Sequence, residues 1–521
     1  MDAPTSTEPA AQTRPSWADT LRSLWDRRVL TMLLLGFSAG LPILLIFSSL
    51  SLWLMEAGVE RKAVTFFSWA ALGYSFKFVW APLVDRLPLP GLTRMLGRRR
   101  AYLLLAQLGV AGSIVGMAMT DPSAGPASLT AMALFAVLLG FTSATQDIVI
   151  DAYRIEIAKP EQQGLLSSAY IAGYRVGMIA AGAGALFLAS YWGSERGSYS
   201  YLAWQWTYLV MAATMGVGML TTLWSREPLA REGQAVLAPA GQQARLLMVF
   251  VCSVLGFVGT FVALGGVFKP WQQGPLITTI TEALRMLLAL GAAFVVGGVL
   301  VRSGAASANQ ARITWVDPVR DFFARYGVGT AALLLALVGL YRISDIVLGV
   351  ISNVFYQDMG FSKPEIASAV KTYGVIISIV GGFMGGLLAT RFGVMRSLMW
   401  GAILSAATNL LFIVLATQGY NLTLLYVIVS ADNLAAGFAS AAFVAFLSSL
   451  TNISFTAVQY AIFSSLMTLL PKTLGGYSGG MVDAMGYPSF FVLTALMGAP
   501  VMVLVWLAGR RMHIREPVLK T

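Results

Sequence analysis

Long apolar runs separated by short polar turns divide this chain, and that alternation leaves few folds open to it. Six runs lie near residues 29–55, 63–84, 101–119, 128–150, 164–189 and 201–224. Six more lie near 327–356, 364–389, 395–416, 422–448, 456–478 and 487–509, with two further runs between the groups near 246–268 and 279–301. A bilayer core takes roughly 20 apolar residues per helix, so each run can cross it. Lipid offers backbone N–H and C=O groups no partners, which selects helices at these lengths. Turns such as Lys269-Pro270 and Gly274-Pro275 suit links between antiparallel helices. With 57% hydrophobic and 11% charged residues, the 521-residue chain has too little polar surface to cover itself in water. The expectation is an all-α integral membrane protein with 14 transmembrane helices, two six-helix bundles plus an extra helix pair between the halves.

The formal charge of +11 is spread through the segments between runs, with no basic arm or patch. That argues for a lipid bilayer as partner and against nucleic acid. Placing the N-terminus inside puts 24 Lys and Arg in cytoplasmic segments and 5 in outer ones, so both termini are expected in the cytoplasm of a multi-pass protein. The expected organisation is a tail (1–28), a six-helix bundle (29–225), a linker with the extra pair and an amphipathic segment (226–326), a second six-helix bundle (327–510) and a tail (511–521). Residues 1–28 are polar and the first run is too long for a signal-peptide core, so no cleaved leader is expected. Cys252 and His513 are the single cysteine and histidine, which leaves no basis for a metal site, a cofactor or a catalytic set. There is no Walker-type phosphate loop to power an ATP-driven pump. Nothing sets the oligomeric state, and a monomer is compatible.

The two groups of runs repeat one another. WLMEAGVERKA at 53–63 and FYQDMGFSKPE at 355–365 place an aromatic, an acid, a Gly and a base at the same spacing after the first helix of each group. After the second helix, Gly386-x-x-x-Thr390-Arg391-x-Gly393-x-x-Arg396 matches Asp85-Arg86, an insertion, and Gly97-Arg98-Arg99-Arg100. Gly lets helices approach closely, the acid can lock to the end of a neighbouring helix, and the arginines stay in the cytoplasm. This pattern resembles the loop signature of the major facilitator superfamily. Parallel repeats of that kind imply two bundles rocking about a site near the midplane.

A charge at a helix centre costs about 2.5–3.5 kcal/mol on insertion scales, so intramembrane charges are functional candidates. They are Lys77, Asp147, Asp151, Arg175, Arg342, Asp345, Lys371 and Asp432. The deeper bases Lys77, Arg175, Arg342 and Lys371 suit a carboxylate-bearing substrate. Trp69, Tyr74, Tyr174, Tyr341 and Tyr373 stand near them, as do Trp80 and Tyr170. Flat aromatic faces often hold sugars, although aromatics at helical spacing more often pack or anchor. Asp147 and Asp151 share a helix face; they either line the path or gate the inner mouth with Arg154 and the Asp85-Arg86 loop, and Arg391 is the matching gate residue in the second group. Lys371 and Arg285 have snorkelling as their plainer reading. Importing a monoanion against an inside-negative potential costs about 2.3 kcal/mol per 100 mV, which one co-transported proton offsets. Asp147, Asp345 and Asp432 are the unranked candidates for carrying that proton.

Several stretches together resemble the AmpG muropeptide permeases, a branch of the major facilitator superfamily. They include LLGFSAGLPILL (34–45), GYSFKFVWAPLVDR (73–86), SATQDIVIDAYRIE (143–156), DPVRDFFAR (317–325) and LYRISD (340–345). The resemblance implies a transporter, not an enzyme. It implies proton-driven import of N-acetylglucosamine–1,6-anhydro-N-acetylmuramic acid, with or without stem peptide, across the bacterial inner membrane. That activity serves peptidoglycan recycling and feeds β-lactamase induction. The chain departs from the family in three places. Its extra helix pair lies between the halves, Arg342 replaces a frequent Lys, and Asp432 replaces a frequent Glu. An arginine cannot practically deprotonate, so Arg342 suits a ligand better than a proton relay. The alternatives are a carrier for another anionic metabolite, such as acetyl-CoA, and an integral-membrane cell-wall enzyme.

Overall fold

The structure is a computed structural model and describes residues 26–46, 48–59, 74, 76–159, 162–194, 198–229, 239–268, 275–475 and 478–512. The first group comprises α1 (Arg27–Glu56), the short α2 (Ala81–Arg86), α3 (Arg98–Ala118), α4 (Pro126–Ile157), α5 (Gln163–Tyr191) and α6 (Tyr201–Trp224). The inserted pair is α7 (Ala240–Phe268) and α8 (Pro275–Arg302), followed by amphipathic α9 (Asp317–Tyr326). The second group comprises α10 (Val328–Leu340), α11 (Ile343–Asp358), α12 (Gly374–Phe392), α13 (Val394–Gln418), α14 (Leu422–Leu450), α15 (Thr456–Gly475), α16 (Ser478–Leu496) and α17 (Gly498–Met512). Among the described residues, twelve helices are long and apolar enough to cross a membrane, and a shorter apolar helix covers Ile453–Leu469. The chain is thus a multi-pass membrane protein. Of the expected run near 63–84, residues 74 and 76–84 are described, and Trp69 and His513 lie outside the described residues.

The sequence repeat is also a backbone repeat. Gly58 and Gly360 have φ of 78° and 89°, where a Cβ would be strained. Each follows the first crossing of its group, and each is held by the same helix-ending bonds. Val59 N donates to Leu54 O at 2.9 Å, and Phe361 N donates to Tyr356 O at 3.1 Å.

Lipid supplies no hydrophobic force between helices, so small residues that let backbones touch carry the packing. A Cβ at Gly36 or Gly40 of α1 would collide with the carbonyls of Tyr170 or Tyr174 on α5. Gly381 and Gly385 of α12 meet the carbonyls of Leu434 and Phe438 on α14 in the same way, and Gly437 returns the contact to Ser378. The two groups touch through α5 and α12, where Gly164 and Ser168 nest against Gly382 and Gly386.

Helix regularity fails at the intramembrane bases. Lys77 opens a 3₁₀ turn (Lys77–Val79), Arg342 separates α10 from α11, and Lys371 lies in a π-helical stretch (Ala367–Tyr373). A second π stretch (Ala180–Gly184) interrupts α5 just beyond Arg175. Such irregularities recur at functional sites because they re-aim side chains.

In the inserted pair, Arg285 of α8 donates from Nε to the carbonyl of Phe261 on α7 at 2.6 Å and lies 3.8 Å from its ring centroid. That is a structural clasp. The pair leans on the first group through Phe257 against Phe76, with ring centroids 6.4 Å apart. Amphipathic α9 straps the link between α14 and α15: Asp321 accepts from Asn452 and Gln459, and Arg325 donates to the Leu450 carbonyl.

Gly437→Leu should destabilise the detergent-solubilised protein by about 3 kcal/mol or more, because the leucine must displace backbone. Gly298→Leu, where an added Cβ meets nothing within 4 Å, should leave thermal unfolding unchanged.

Candidate functional site

The face of the bundle where α1 begins and α17 ends carries a buried lock between the two groups. Asp85, at the end of α2, divides its carboxylate. Oδ1 accepts from Arg99 Nη2 at 2.7 Å. Oδ2 accepts from the backbone N–H groups of Ala457 and Val458 at 3.1 and 3.3 Å, so an acid of the first group caps the N-terminus of α15 in the second. Glu156, at the end of α4, accepts from Arg99 at 2.6 Å and from the Thr456 hydroxyl at 2.6 Å, while Arg99 also donates to that hydroxyl at 2.7 Å. Arg99 is 1% exposed, so its charge depends on both carboxylates.

One helical turn deeper, Arg154 is fully buried and donates to Ser167 of its own group at 2.9 Å and to Ser448 of the other at 2.7 Å. Its guanidinium carbon lies 5.1 Å from the ring centroid of Tyr460, again across the groups. Asp151 accepts from Arg154 at 3.2 Å and pairs with Lys77 Nζ at 3.8 Å, linking the lock to the centre of the bundle.

The centre holds a second set. Asp147 is buried, faces the charge of Lys77, and has Tyr170 Oη 3.5 Å away. Tyr74 shares a hydrogen bond with Ser143, and the Tyr170 and Tyr174 rings lie 6.0 Å apart. In the second group, Arg342 donates to Asp345 at 3.1 Å and to Ser440 at 2.5 Å. Asp432 sits beside Thr408 within electrostatic range of both Asp345 and Arg342. Arg175, half-buried on α5, lies within range of Arg342, so two cations face each other across the groups.

The residues singled out from sequence thus fall into distinct places. Lys77, Asp147, Asp151 and Arg154 come together on one side, and Arg342, Asp345 and Asp432 on the other. Tyr341 is turned into the packing, donating to the Leu398 carbonyl at 2.9 Å with its ring stacked on Phe443. Tyr373 shares a hydrogen bond with Ser430 at 2.9 Å. Arg86 reaches the Ile313 carbonyl at 3.5 Å, and Arg391 lies over Phe392 at the end of α12. The side chain of Lys371 lies outside the described residues. Sequence reading missed Arg99, Glu156 and Thr456. The arginines of the 97–100 run mark the repeated loop signature and the orientation, and nothing local shows that Glu156 lies beside them.

Gly97 has a physical reason in this setting. It opens α3 at φ 89°, and a Cβ there would strike Glu227, whose carboxylate accepts the N–H groups of Arg99 and Arg100 at 2.8 and 3.0 Å. Gly393 opens α13 at φ 91°, the corresponding place in the second group.

The profile of the Major Facilitator Superfamily matches residues 56–344, more than half of the chain. The chain therefore belongs to that superfamily and is a transporter, not an enzyme. Among its relatives, the chain is 29% identical over 490 residues to "Putative transporter AmpG 4" of Rickettsia conorii, covering 94% of this chain and 98% of that one. It is also 29% identical over 486 residues to "Anhydromuropeptide permease" of Escherichia coli K12, covering 93% and 80%. Two solved structures share the fold. The proton:xylose symporter XylE has a TM-score of 0.59 at 13% identity, covering 92% of this chain and 95% of that one. The human organic anion transporter MFSD10 has 0.53 at 16%, covering 92% and 99%.

Removing Arg99 deprives Asp85 and Glu156 of the buried cation they share and should cost the closed face about 3–5 kcal/mol. In a Cys252→Ser background, a cysteine at buried Ala461 should resist a membrane-impermeant maleimide. Adding Arg99→Ala should make it react; unchanged protection would mean that the pairs do not hold the face shut.

Proposed function

We propose that this transporter is a bacterial inner-membrane importer of anhydro-muropeptides, sugars bearing carboxylates on their stem peptides, and that it serves peptidoglycan recycling. The observation that carries the substrate class is the similarity, over 93% of this chain, to a protein named anhydromuropeptide permease. The site chemistry is compatible with it. A carboxylate is well served by Arg175 and Arg342 standing on opposite groups, because an anion between them relieves their repulsion and joins the groups. Tyr74, Tyr174 and Tyr373 offer faces and hydroxyls for the sugars, and Trp69 and Lys371 are assigned to the same site as an aromatic face and a further cation. Tyr341 seats the break at Arg342.

On this reading the locked face is the cytoplasmic one, in keeping with the excess of Lys and Arg on that side, and both termini are cytoplasmic. Asp85, Arg86, Asp151, Arg154 and Arg391 belong to the inner gate, and substrate enters from the periplasm. The bundles then rock about the central charges to open the inner face. Coupling to protons follows from the energetics of an anionic cargo, with Asp147, Asp345 or Asp432 as the carrier. Each sits beside a base whose pull changes when substrate arrives: Lys77 for Asp147, and Arg342 for the other two.

Uptake of labelled anhydro-disaccharide into vesicles, with and without a protonophore, tests this reading. Accumulation that collapses with the protonophore is expected. No accumulation in either condition would refute the substrate, and accumulation indifferent to the protonophore would refute the coupling. Lys77→Ala, Arg175→Ala and Asp432→Asn should each reduce uptake to background with normal protein levels in the membrane.

A further inference from the structure

A cleft of about 410 Å³ opens on the locked face between the start of α1, the end of α4 and the segment after α6. Three arginines and three acids line it: Arg27, Arg28, Arg226, Asp26, Glu156 and Glu227. Counted as formal charges, the cleft is neutral. Its hydrogen bonds show otherwise.

All three acids are already engaged. Asp26 is bidentate with Arg28, with contacts of 2.6 to 3.1 Å, and that guanidinium holds its carboxyl below the ordinary aspartate range despite partial burial. Glu156 belongs to the Arg99 lock and also accepts from Arg98 at 3.2 Å. Glu227 is turned to the start of α3, capping it through the amides of Arg99 and Arg100, and no ion pair from it to Arg27 or Arg226 is seen among the described residues.

Two bases remain. Arg27 donates to the neutral carbonyl of Trp224 and lies 4.1 Å from that ring's centroid, so it keeps its whole charge. Arg226 is exposed; its backbone carbonyl accepts from Tyr153 at 2.9 Å, and no hydrogen bond or ion pair of its guanidinium is seen among the described residues. The bland reading is that both arginines only set membrane orientation. The surface beside them argues for more. Leu30 of α1 and Leu220, Leu223 and Trp224 of α6 are exposed on these two adjacent helices, which gives the basic cleft an apolar wall along the bilayer. A soluble phosphate has no use for that wall, whereas a lipid uses both parts.

We propose that this cleft binds the phosphodiester headgroup of an anionic bilayer lipid, held by Arg27 and Arg226 with its acyl chains along α1 and α6. The site does not depend on the identity of the transported substrate. Because Glu156 and Glu227 join the cleft to Arg99 and the start of α3, a bound lipid stiffens the locked face.

Thermal unfolding of the full-length protein in uncharged detergent, titrated with dioleoyl phosphatidylglycerol, dioleoyl phosphatidylcholine or inorganic phosphate, tests the proposal. Phosphatidylglycerol should stabilise the wild type, and Arg226→Ala should weaken its apparent affinity roughly fivefold, the share of one surface arginine. Arg226→Glu should weaken it further. The control is Arg510→Ala with Arg511→Ala, where Arg510 makes the same Arg-over-Trp contact, with Trp506 at 3.9 Å, outside the cleft. It should retain wild-type affinity. Four results would each overturn the site: equal stabilisation by phosphatidylcholine, saturation by phosphate alone, wild-type affinity in both Arg226 variants, or an equal loss in the control.

Discussion

One carboxylate holds the two groups of helices together: Asp85 spends one oxygen on Arg99 of its own group and the other on two backbone amides of α15. Neither bond suffices alone. Without Arg99 the acid would be a buried charge with only a helix end for company, and without α15 it would be a local ion pair. Joined, they make closure of one face a property of both groups at once. Glu156 and Thr456 repeat the design beside it, and Arg154 repeats it a turn deeper through Ser448 and Tyr460. Arg99, Asp85 and Glu156 compensate one another within the first group, so parting the groups breaks only the cap on α15 and the bonds to Thr456 and Ser448, which suits a contact that must also break.

The lock and the central charges are continuous. Asp151 touches Arg154 on one side and Lys77 on the other, and Lys77 faces Asp147. Asp147, Lys77, Asp151 and Arg154 thus form one electrostatic series between the centre and the locked face. Irregular turns at Lys77 and Arg342 place two central bases where the helices can bend. The inserted pair stands apart from this chain of contacts, clasped by Arg285 and leaning on Phe76.

Much of this was legible in the residues. Run length identified twelve of the fourteen expected crossings among the described residues, because a bilayer imposes one length and one polarity on every crossing. The repeat is read from an aromatic, an acid, a Gly and a base at one spacing, and the structure gives its glycines, Gly58 and Gly360, a positive φ that admits little else. The expectation that the loop acid locks to a neighbouring helix end corresponds to the Asp85 cap on α15. What stayed hidden depends on contacts far apart in the chain. Arg99 and Glu156 are 57 residues apart, and Glu156 and Thr456 are 300. Composition could not say that the arginines after Gly97 divide their work, Arg99 into the lock and Arg100 onto the carbonyls ending α6. Nor could spacing show that Tyr341 packs on Phe443 while Tyr74 keeps to the central set.

The central claim is that the locked face opens when cargo and proton occupy the middle of the bundle. Spin labels at exposed Met95 and Arg396, one on each group at that face, report it directly in a Cys252→Ser background. The expected result is a single short interspin distance without ligand and a second, longer population once anhydro-disaccharide is added under a proton gradient. A distance distribution unchanged by cargo and gradient, in protein that still transports, would contradict it.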